Sequence, residues 1–152
     1  MTLEVLSPLP GRVVAFDDVP DPVFSGRLIG PGLAVDPARV PGEVVVLAPI
    51  PGRVSKIHPH AFVITADDSR SVLVHLGLDT VGLEGRGFTV HREEGAEVRA
   101  GDPIITWSPA RVERDGFNPV VPIVALDADQ TDLALAAPGT AVAPGDALIT
   151  WP

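Results

Sequence analysis

Two histidines that stand fifteen positions apart are the residues of this chain best able to do chemistry. His60 precedes an apolar run at 61–66, and His75 lies near the end of a second run at 71–76. An imidazole with an ordinary pKa of about 6.5 is largely neutral at neutral pH and can act as a nucleophile, a metal ligand or a proton carrier. Spacing alone leaves three interpretations open: a structural pair, a metal site and a catalytic pair.

The polar segment between the two runs, residues 67–70, predicts a β-hairpin. A two-residue turn at 67–68 places His60 directly opposite His75, and opposed residues have Cβ atoms about 5 Å apart. A four-residue loop makes the pair diagonal but keeps both rings on one face, whereas an odd loop would separate them. We therefore expect both imidazoles on one face. That face would also carry Phe62, Ile64 and Leu73, and the other face Ala61, Val63, Val72, Val74 and Leu76.

The elements that must hold the histidines are short strands. Seventeen prolines and fifteen glycines interrupt runs of valine, isoleucine and leucine, which is typical of strands joined by turns. We expect one all-β domain over residues 1–152, an antiparallel β-sandwich or barrel with little helix. The predicted strands are 12–16, 32–35, 43–48, 52–57, 61–66, 71–76, 88–90, 104–107, 120–125 and 147–151. One short helix is expected at 109–115, after the N-cap residue Ser108, and 19–24 is expected to be a loop.

An internal repeat supports this fold class. Residues 94–107 and 138–151 share a glycine, a valine, Gly-Asp and Ile-Thr-Trp in register. A repeated turn and strand predicts a duplicated β unit, a hybrid motif whose two halves close a sandwich and leave few free sheet edges. Chance likeness of two turn signals is the alternative.

Charge and composition exclude several classes of function. The chain has 11 lysines and arginines against 20 acidic residues, a net charge of −9, and no basic cluster, so nucleic acid and anionic membranes are poor partners. A partner with exposed arginine or lysine is favoured. Without cysteine there is no disulfide and no thiolate site. We find no leader sequence and no run of about 18 apolar residues, so we expect a cytoplasmic protein without a membrane segment.

The string Val-His-Leu-Gly-Leu-Asp-Thr-Val at 74–81 resembles the phosphorylation-site signature of glucose-family enzyme IIA (EIIA) domains of the bacterial sugar phosphotransferase system. His-Ala-Phe at 60–62 is similar to the context of that family's second histidine, at the same distance. Further family-like segments follow in order at 7–13, 18–24, 30–35, 49–52 and 84–88. The resemblance looks closest to actinobacterial members.

The resemblance implies a phosphocarrier. His75 would accept a phosphoryl group from phospho-HPr and pass it to a cysteine of the IIB domain of a sugar permease, for sugar uptake and phosphorylation. His60 would stabilise the phosphoryl group. No cofactor and no resident metal are implied. Regulatory binding of other proteins by the unphosphorylated form is compatible with this role. A monomer is expected, because the docking faces of transient relay partners are small.

The resemblance also implies partner contacts around His75. Asp21 and Asp79 would meet arginines of the partner, with ordinary turn residues as the alternative. Val23, Phe24 and Phe62 would form an apolar docking rim, with core packing as the alternative. Gly77 would allow close backbone approach beside His75, with a simple bulge as the alternative.

One departure and two other functions stay open. Many family members have a threonine two residues before the second histidine; here His58 stands there, either as a replacement donor or only to shape the turn before Pro59. A zinc-dependent hydrolase with a related barrel would use His58, His60 and His75 as ligands. A biotinyl or lipoyl carrier would need a lysine at a hairpin tip, but the only lysine, Lys56, falls in a predicted strand.

Overall fold

Short strands form where runs of branched apolar residues are broken by proline and glycine, and the computed structural model describes all residues, 1–152. The first seven strands are β1 (Leu3–Leu6), β2 (Gly11–Ala15), β3 (Gly32–Pro37), β4 (Val44–Leu47), β5 (Gly52–His58), β6 (Ala61–Thr65) and β7 (Ser71–His75). The others are β8 (Thr89–Val90), β9 (Glu97–Val98), β10 (Pro103–Trp107), β11 (Val121–Ala125), β12 (Ala134–Leu135), β13 (Ala141–Val142) and β14 (Ala147–Trp151). The helices are α1 (Pro22–Ser25), α2 (Pro109–Arg114) and three 3-10 turns, Phe16–Asp18, Thr80–Leu83 and Gln130–Asp132.

The strands form three antiparallel sheets. Eight strands make one sheet in the order β13-β2-β3-β11-β7-β6-β5-β9, and two smaller sheets have the orders β1-β14-β12 and β4-β10-β8. A core of 27 buried residues joins all three, with Val5 from one small sheet, Val46 from the other and Val74 from the large sheet. The predicted antiparallel β-sandwich with little helix is therefore confirmed, in an open form.

The internal repeat is a structural duplication. Each copy has a two-residue strand, a turn and a five-residue strand, β9–β10 and β13–β14. In each turn an aspartate side chain accepts a backbone N–H at 2.8 Å, Asp102 from Arg99 and Asp146 from Ala143. Equal turn geometry from equal residues shows that the likeness of the two segments is not accidental.

A second repeat, which the sequence analysis missed, completes the duplication. Pro-Leu-Pro-Gly-Arg-Val at 8–13 matches Pro-Ile-Pro-Gly-Arg-Val at 49–54. The Leu6 N–H donates to the Pro49 carbonyl and the Leu47 N–H donates to the Pro8 carbonyl, both at 2.9 Å. Such reciprocal bonds are expected when two copies are related by a twofold axis. Segments 6–13 and 47–54 then pair with the two copies of the first repeat, 139–146 and 95–102.

The β6–β7 hairpin has a register that was not predicted. Ala61 pairs with His75, and the Ala66 N–H donates to the Arg70 carbonyl at 2.8 Å. The loop therefore holds three residues, 67–69. Ser69 adopts φ 75°, the left-handed conformation that closes a three-residue hairpin loop. The expectation of an even loop is wrong, because a serine takes a position that glycine usually marks.

The odd loop reverses the two faces of β6. Phe62 and Ile64 are fully buried in the core, while Val63 shares the outer face with Leu73 and His75. For β7 the prediction is confirmed, since Val72 and Val74 point into the core. Phe62 therefore has no surface to offer a partner, and its assignment to a docking rim is corrected to core packing.

Short elements account for the other differences. The sequence analysis missed β1, β9, β12, β13 and α1; three of these strands have only two residues, too few to show an alternating pattern. The segment expected to be a loop at 19–24 contains most of α1. The helix expected after Ser108 is confirmed, and the Ser108 hydroxyl accepts the Arg111 N–H. No helix has the length and apolar character needed to cross a bilayer.

Candidate functional site

His75 ends β7 and is held by the turn that follows. Its Nδ1 lies 2.6 Å from the carbonyl oxygen of Gly77. A carbonyl only accepts hydrogen bonds, so Nδ1 carries the proton of the neutral ring and Nε2 keeps its lone pair. The turn thus fixes both the tautomer and the orientation of His75.

Gly77 is required by the shape of this turn. Its φ is 84°, and a Cβ atom at this position would lie 2.6 Å from the Thr80 methyl carbon and 3.0 Å from the Asn118 carbonyl oxygen. The buried Thr80 hydroxyl donates to the Leu76 carbonyl at 2.7 Å. The turn after β7 is therefore a tightly bonded unit in which any larger side chain would displace the carbonyl that holds His75.

His60 lies in the two-residue turn between β5 and β6, which is closed by the pairing of His58 with Ala61. Its carbonyl accepts the Leu76 N–H at 2.7 Å, which ties the turn to the residue after His75. The His60 and His75 ring centroids are 5.2 Å apart with an interplanar angle of 73°. The predicted proximity of the two histidine rings is thus found, but the alternation of a strand does not produce it, because His60 lies outside β6.

A small helix covers the other side of His75. In α1 the Asp21 carboxylate accepts the Val23 N–H at 2.9 Å as N-cap, and Pro22 occupies the first helical position, which suits its missing N–H. The Phe24 ring lies 5.4 Å from the His75 ring. A second apolar cluster supports this region from the outer face of the large sheet: Phe16, Val19, Phe24, Ala34, Leu78, Val120 and Val124.

Both histidines of the pair are neutral at physiological pH. Burial lowers the pKa of His60 from 6.5 to about 4, with smaller contributions from His75 and His58. Burial also lowers the pKa of His75, although the Gly77 carbonyl and the charges of Asp21 and Asp79 act in the opposite direction. A neutral His75 is a competent nucleophile, and a neutral His60 still has one N–H to donate.

The structure gathers most of the predicted site residues at one place. The rings of Phe24 and His60 contact the ring of His75, and the Gly77 carbonyl contacts its Nδ1. The negative charges of Asp21 and Asp79 act to raise the pKa of His75. Phe24 is only 5% exposed, so it supports His75 more than it forms surface, whereas Val23 is 40% exposed. Phe62, as stated above, belongs to the core.

Sequence reasoning missed two exposed apolar residues, one in the segment after α1 and one in the segment after His75. Val81 follows the turn after His75 and is 65% exposed, and Leu28 follows α1 and is 70% exposed. Exposed aliphatic side chains beside a reactive group are a common feature of docking surfaces. The sequence carried no signal for the exposure of Val81, because that exposure follows from the 3-10 turn at 80–83.

His60 and His75 are each partly exposed. Five surface cavities, with volumes between 210 and 560 Å³, have neither His60 nor His75 in their lining. His58 stacks on His60 with centroids 5.8 Å apart, and no three acidic or histidine side chains converge as a metal-ligand set. Lys56 lies within β5 and not at a hairpin tip. A partly exposed pair outside these five cavities suits contact with a partner protein better than enclosure of a small molecule.

Comparison with known proteins identifies a family model and several relatives that are similar to this chain. A family model described as "phosphoenolpyruvate-dependent sugar phosphotransferase system, EIIA 1" matches residues 3–131. The glucose-specific EIIA component of the phosphotransferase system of Oceanobacillus iheyensis is 36% identical over 129 residues, 84% of this chain and 76% of that protein. The corresponding protein of Staphylococcus aureus is 38% identical over 130 residues, again 84% and 76%.

A solved structure agrees over almost the whole length. The glucose permease IIA from Mycoplasma capricolum superimposes with a TM-score of 0.88 at 32% identity, covering 99% of this chain and 96% of that one. These relatives do not bear on the closer likeness to actinobacterial members, which stays a prediction. The chain belongs to the EIIA type 1 family of the phosphoenolpyruvate-dependent sugar phosphotransferase system.

Proposed function

We propose that this phosphotransferase component accepts a phosphoryl group from phospho-HPr on Nε2 of His75 and passes it to the cysteine of a IIB domain. The observation that carries the proposal is the 2.6 Å contact of His75 Nδ1 with the Gly77 carbonyl. It leaves one nucleophilic nitrogen, on a ring that lies beside a second neutral imidazole.

Each transfer exchanges one bond to phosphorus for another. In the first, the lone pair of His75 Nε2 forms an N–P bond while the N–P bond of the donor's phosphohistidine breaks. In the second, the cysteine thiolate forms an S–P bond, the bond to His75 breaks, and the imidazole returns to its neutral form. Phosphoryl transfer passes through a loose transition state with charge on three oxygens, so the protein acts mainly by position and by electrostatic stabilisation.

In this proposal His60 stabilises the phosphoryl group. The pKa of about 4 leaves its ring neutral, with one N–H that can donate to a phosphoryl oxygen. The ring-to-ring distance of 5.2 Å is a contact distance, so a group bonded to His75 would lie within reach of the His60 ring. Removal of His60 should therefore slow the transfer of the phosphoryl group to the IIB domain, whereas His75 should still accept the group.

The surroundings of His75 suit a basic partner with an apolar contact area. Asp21 and Asp79 would meet its arginines or lysines, and the exposed side chains of Val23 and Val81 would exclude water from the transferred charge. The overall charge of −9 would favour encounter with such a partner. A phosphate on His75 adds negative charge to this face, so partners of the unphosphorylated form would be released on phosphorylation.

The family and the names of the relatives support the same reading. Relatives named glucose-specific EIIA components make glucose the first sugar to test with this chain. A cytoplasmic location, a monomeric state and a single domain over residues 1–152 belong to the proposal.

The test is transfer from labelled phosphoenolpyruvate through enzyme I and HPr. The wild type should gain one acid-labile, base-stable phosphate, His75→Ala should gain none, and His60→Ala should gain it but pass it slowly to a IIB domain. The matched control is His91→Ala, because His91 is an exposed histidine that follows β8 and its ring bonds only to the Thr106 hydroxyl. Label that persists in His75→Ala would refute the proposal.

A further inference from the structure

The His60 ring has no hydrogen bond that fixes its orientation. The hydrogen bonds made by imidazoles in this protein are those of His75 and His91. A histidine side chain turns about two bonds, and an unrestrained ring must be ordered anew in each transition state, at a cost in free energy. Something other than a hydrogen bond must hold the N–H of His60 toward its target.

The aromatic neighbours of His60 are two other imidazoles. The His75 ring meets it edge-on, with an angle of 73°. The His58 ring lies nearly parallel to it, at 29° and 5.8 Å between centroids. Offset-stacked rings at such distances attract each other, and the contact limits rotation about the second side-chain torsion.

The backbone holds His58 in place for this contact. His58 is the last residue of β5 and pairs with Ala61, so the turn between them has only two residues, Pro59 and His60. The proline ring restricts this turn further, and Gly85 packs against the ring of Pro59, since a Cβ on Gly85 would lie 3.3 Å from it. The backbone positions of His58 and His60 are therefore fixed relative to each other.

We propose that His58 is a positioning residue, whose ring stacks on His60 and keeps the His60 N–H directed at the phosphoryl group carried by His75. This inference rests on the proposed function of His75 and His60. His58 acts through His60 and needs no bond to the phosphoryl group. Its electrostatic effect agrees, because His58 adds to burial and to His75 in lowering the pKa of His60.

Three substitutions separate stacking from other roles of His58. His58→Phe keeps an aromatic ring but has no donor, His58→Gln keeps a donor but has no ring, and His58→Ala has neither. Because His58 is exposed, all three should fold. His91→Phe and His91→Ala are the matched controls, since they change an exposed histidine after β8 in the same way.

The main measurement is single-turnover transfer from protein preloaded with phosphate to a purified IIB domain of a glucose permease, over a range of IIB concentrations. His58→Ala and His58→Gln should lower the maximal rate roughly three- to tenfold, the size expected for one lost aromatic pair, with half-saturation unchanged. His58→Phe should stay within about twofold of the wild type. Wild-type rates in His58→Ala, or rescue by glutamine but not by phenylalanine, would overturn the proposal.

A second measurement uses the unphosphorylated protein and so does not depend on the relay. In proton NMR, contacts between the ring protons of His60 and His75 should weaken in His58→Ala and persist in His58→Phe. Unchanged contacts in His58→Ala would contradict the positioning role. If His75 of the wild type gains no labelled phosphate, the proposed function is refuted. The NMR result still decides, independently, whether His58 orients His60.

Discussion

The two copies of the duplicated β unit begin alike and end differently. Segments 6–13 and 47–54 make the same backbone hydrogen bonds to their partner segments. Beyond these segments β2 leads into a 3-10 turn and α1, which bring Phe24 to His75, whereas β5 runs on to His58 and the turn that carries His60. The repeated parts thus form a common frame, and the parts that are not repeated supply the contacts of the site.

The frame should respond most strongly to loss of its buried tryptophans, which are equivalent in the two copies. Trp107 is 0% exposed and Trp151 is 8% exposed. Trp107→Ala should lower the free energy of unfolding by about 3–5 kcal/mol. Trp151→Ala should cost less, since Trp151 is slightly more exposed and its ring is covered by Arg70. Urea denaturation tests this, and a larger loss for Trp151→Ala than for Trp107→Ala would contradict the predicted order.

The glycines that open β2 and β5 should show the next largest effect. A Cβ on Gly52 would lie 2.2 Å from the Thr65 carbonyl oxygen and one on Gly11 would lie 2.4 Å from that of Asp36. Alanine at either position should cost about 3 kcal/mol. Gly101→Ala is the control, with φ 92° but free space around it, and should cost only about 1 kcal/mol. Equal costs at all three positions, again from urea midpoints, would show that close packing is not the cause.

These contrasts also indicate what the sequence could predict. The strands with long apolar runs, the repeat at 94–107 and 138–151 and the closeness of His60 to His75 were all predictable. The reason for that closeness was not, because Ser69 in a left-handed conformation leaves no mark in the sequence and its odd loop decides the register. The same one-residue shift moved Phe62 from the expected rim into the core.

The remaining differences have a common physical origin. α1 has four residues and depends on an Asp21 cap and on packing of Phe24, which are tertiary effects that a short pattern does not show. Two-residue strands likewise form only because a partner strand is present. The exposed Val81 could be recognised only after the 3-10 turn was known.

The site should differ from the frame in its response to acid. The pKa of His60 is about 4 in the folded protein and 6.5 ordinarily, so below pH 6.5 the unfolded state binds more protons. The contribution of His60 to stability is therefore fully present above about pH 6.5 and declines as the pH falls toward 4. Urea midpoints against pH should show this decline, and His60→Gln should lose the part of it that His60 contributes, while the lowered pKa of His75 keeps the rest. An unchanged slope in His60→Gln, with His91→Gln as control, would contradict the assignment.

The smallest effect is expected at Asp21, which caps α1 and also carries charge near His75. Asp21→Asn keeps a capping oxygen, so stability should change by less than about 0.5 kcal/mol, whereas Asp21→Ala should lose about 1 kcal/mol. Both should weaken binding to a basic partner to the same modest extent, more so at low salt. If Asp21→Asn binds HPr as the wild type does, the charge has no part in recognition.

The central claim is that the turn after β7 leaves Nε2 of His75 as the single reactive nitrogen. Phosphorus and nitrogen NMR of protein phosphorylated through HPr measures this directly. The predicted result is one phosphate bonded to Nε2 of His75, with the proton retained on Nδ1. A phosphate on Nδ1 of His75, or on His60 or His58, would contradict the account.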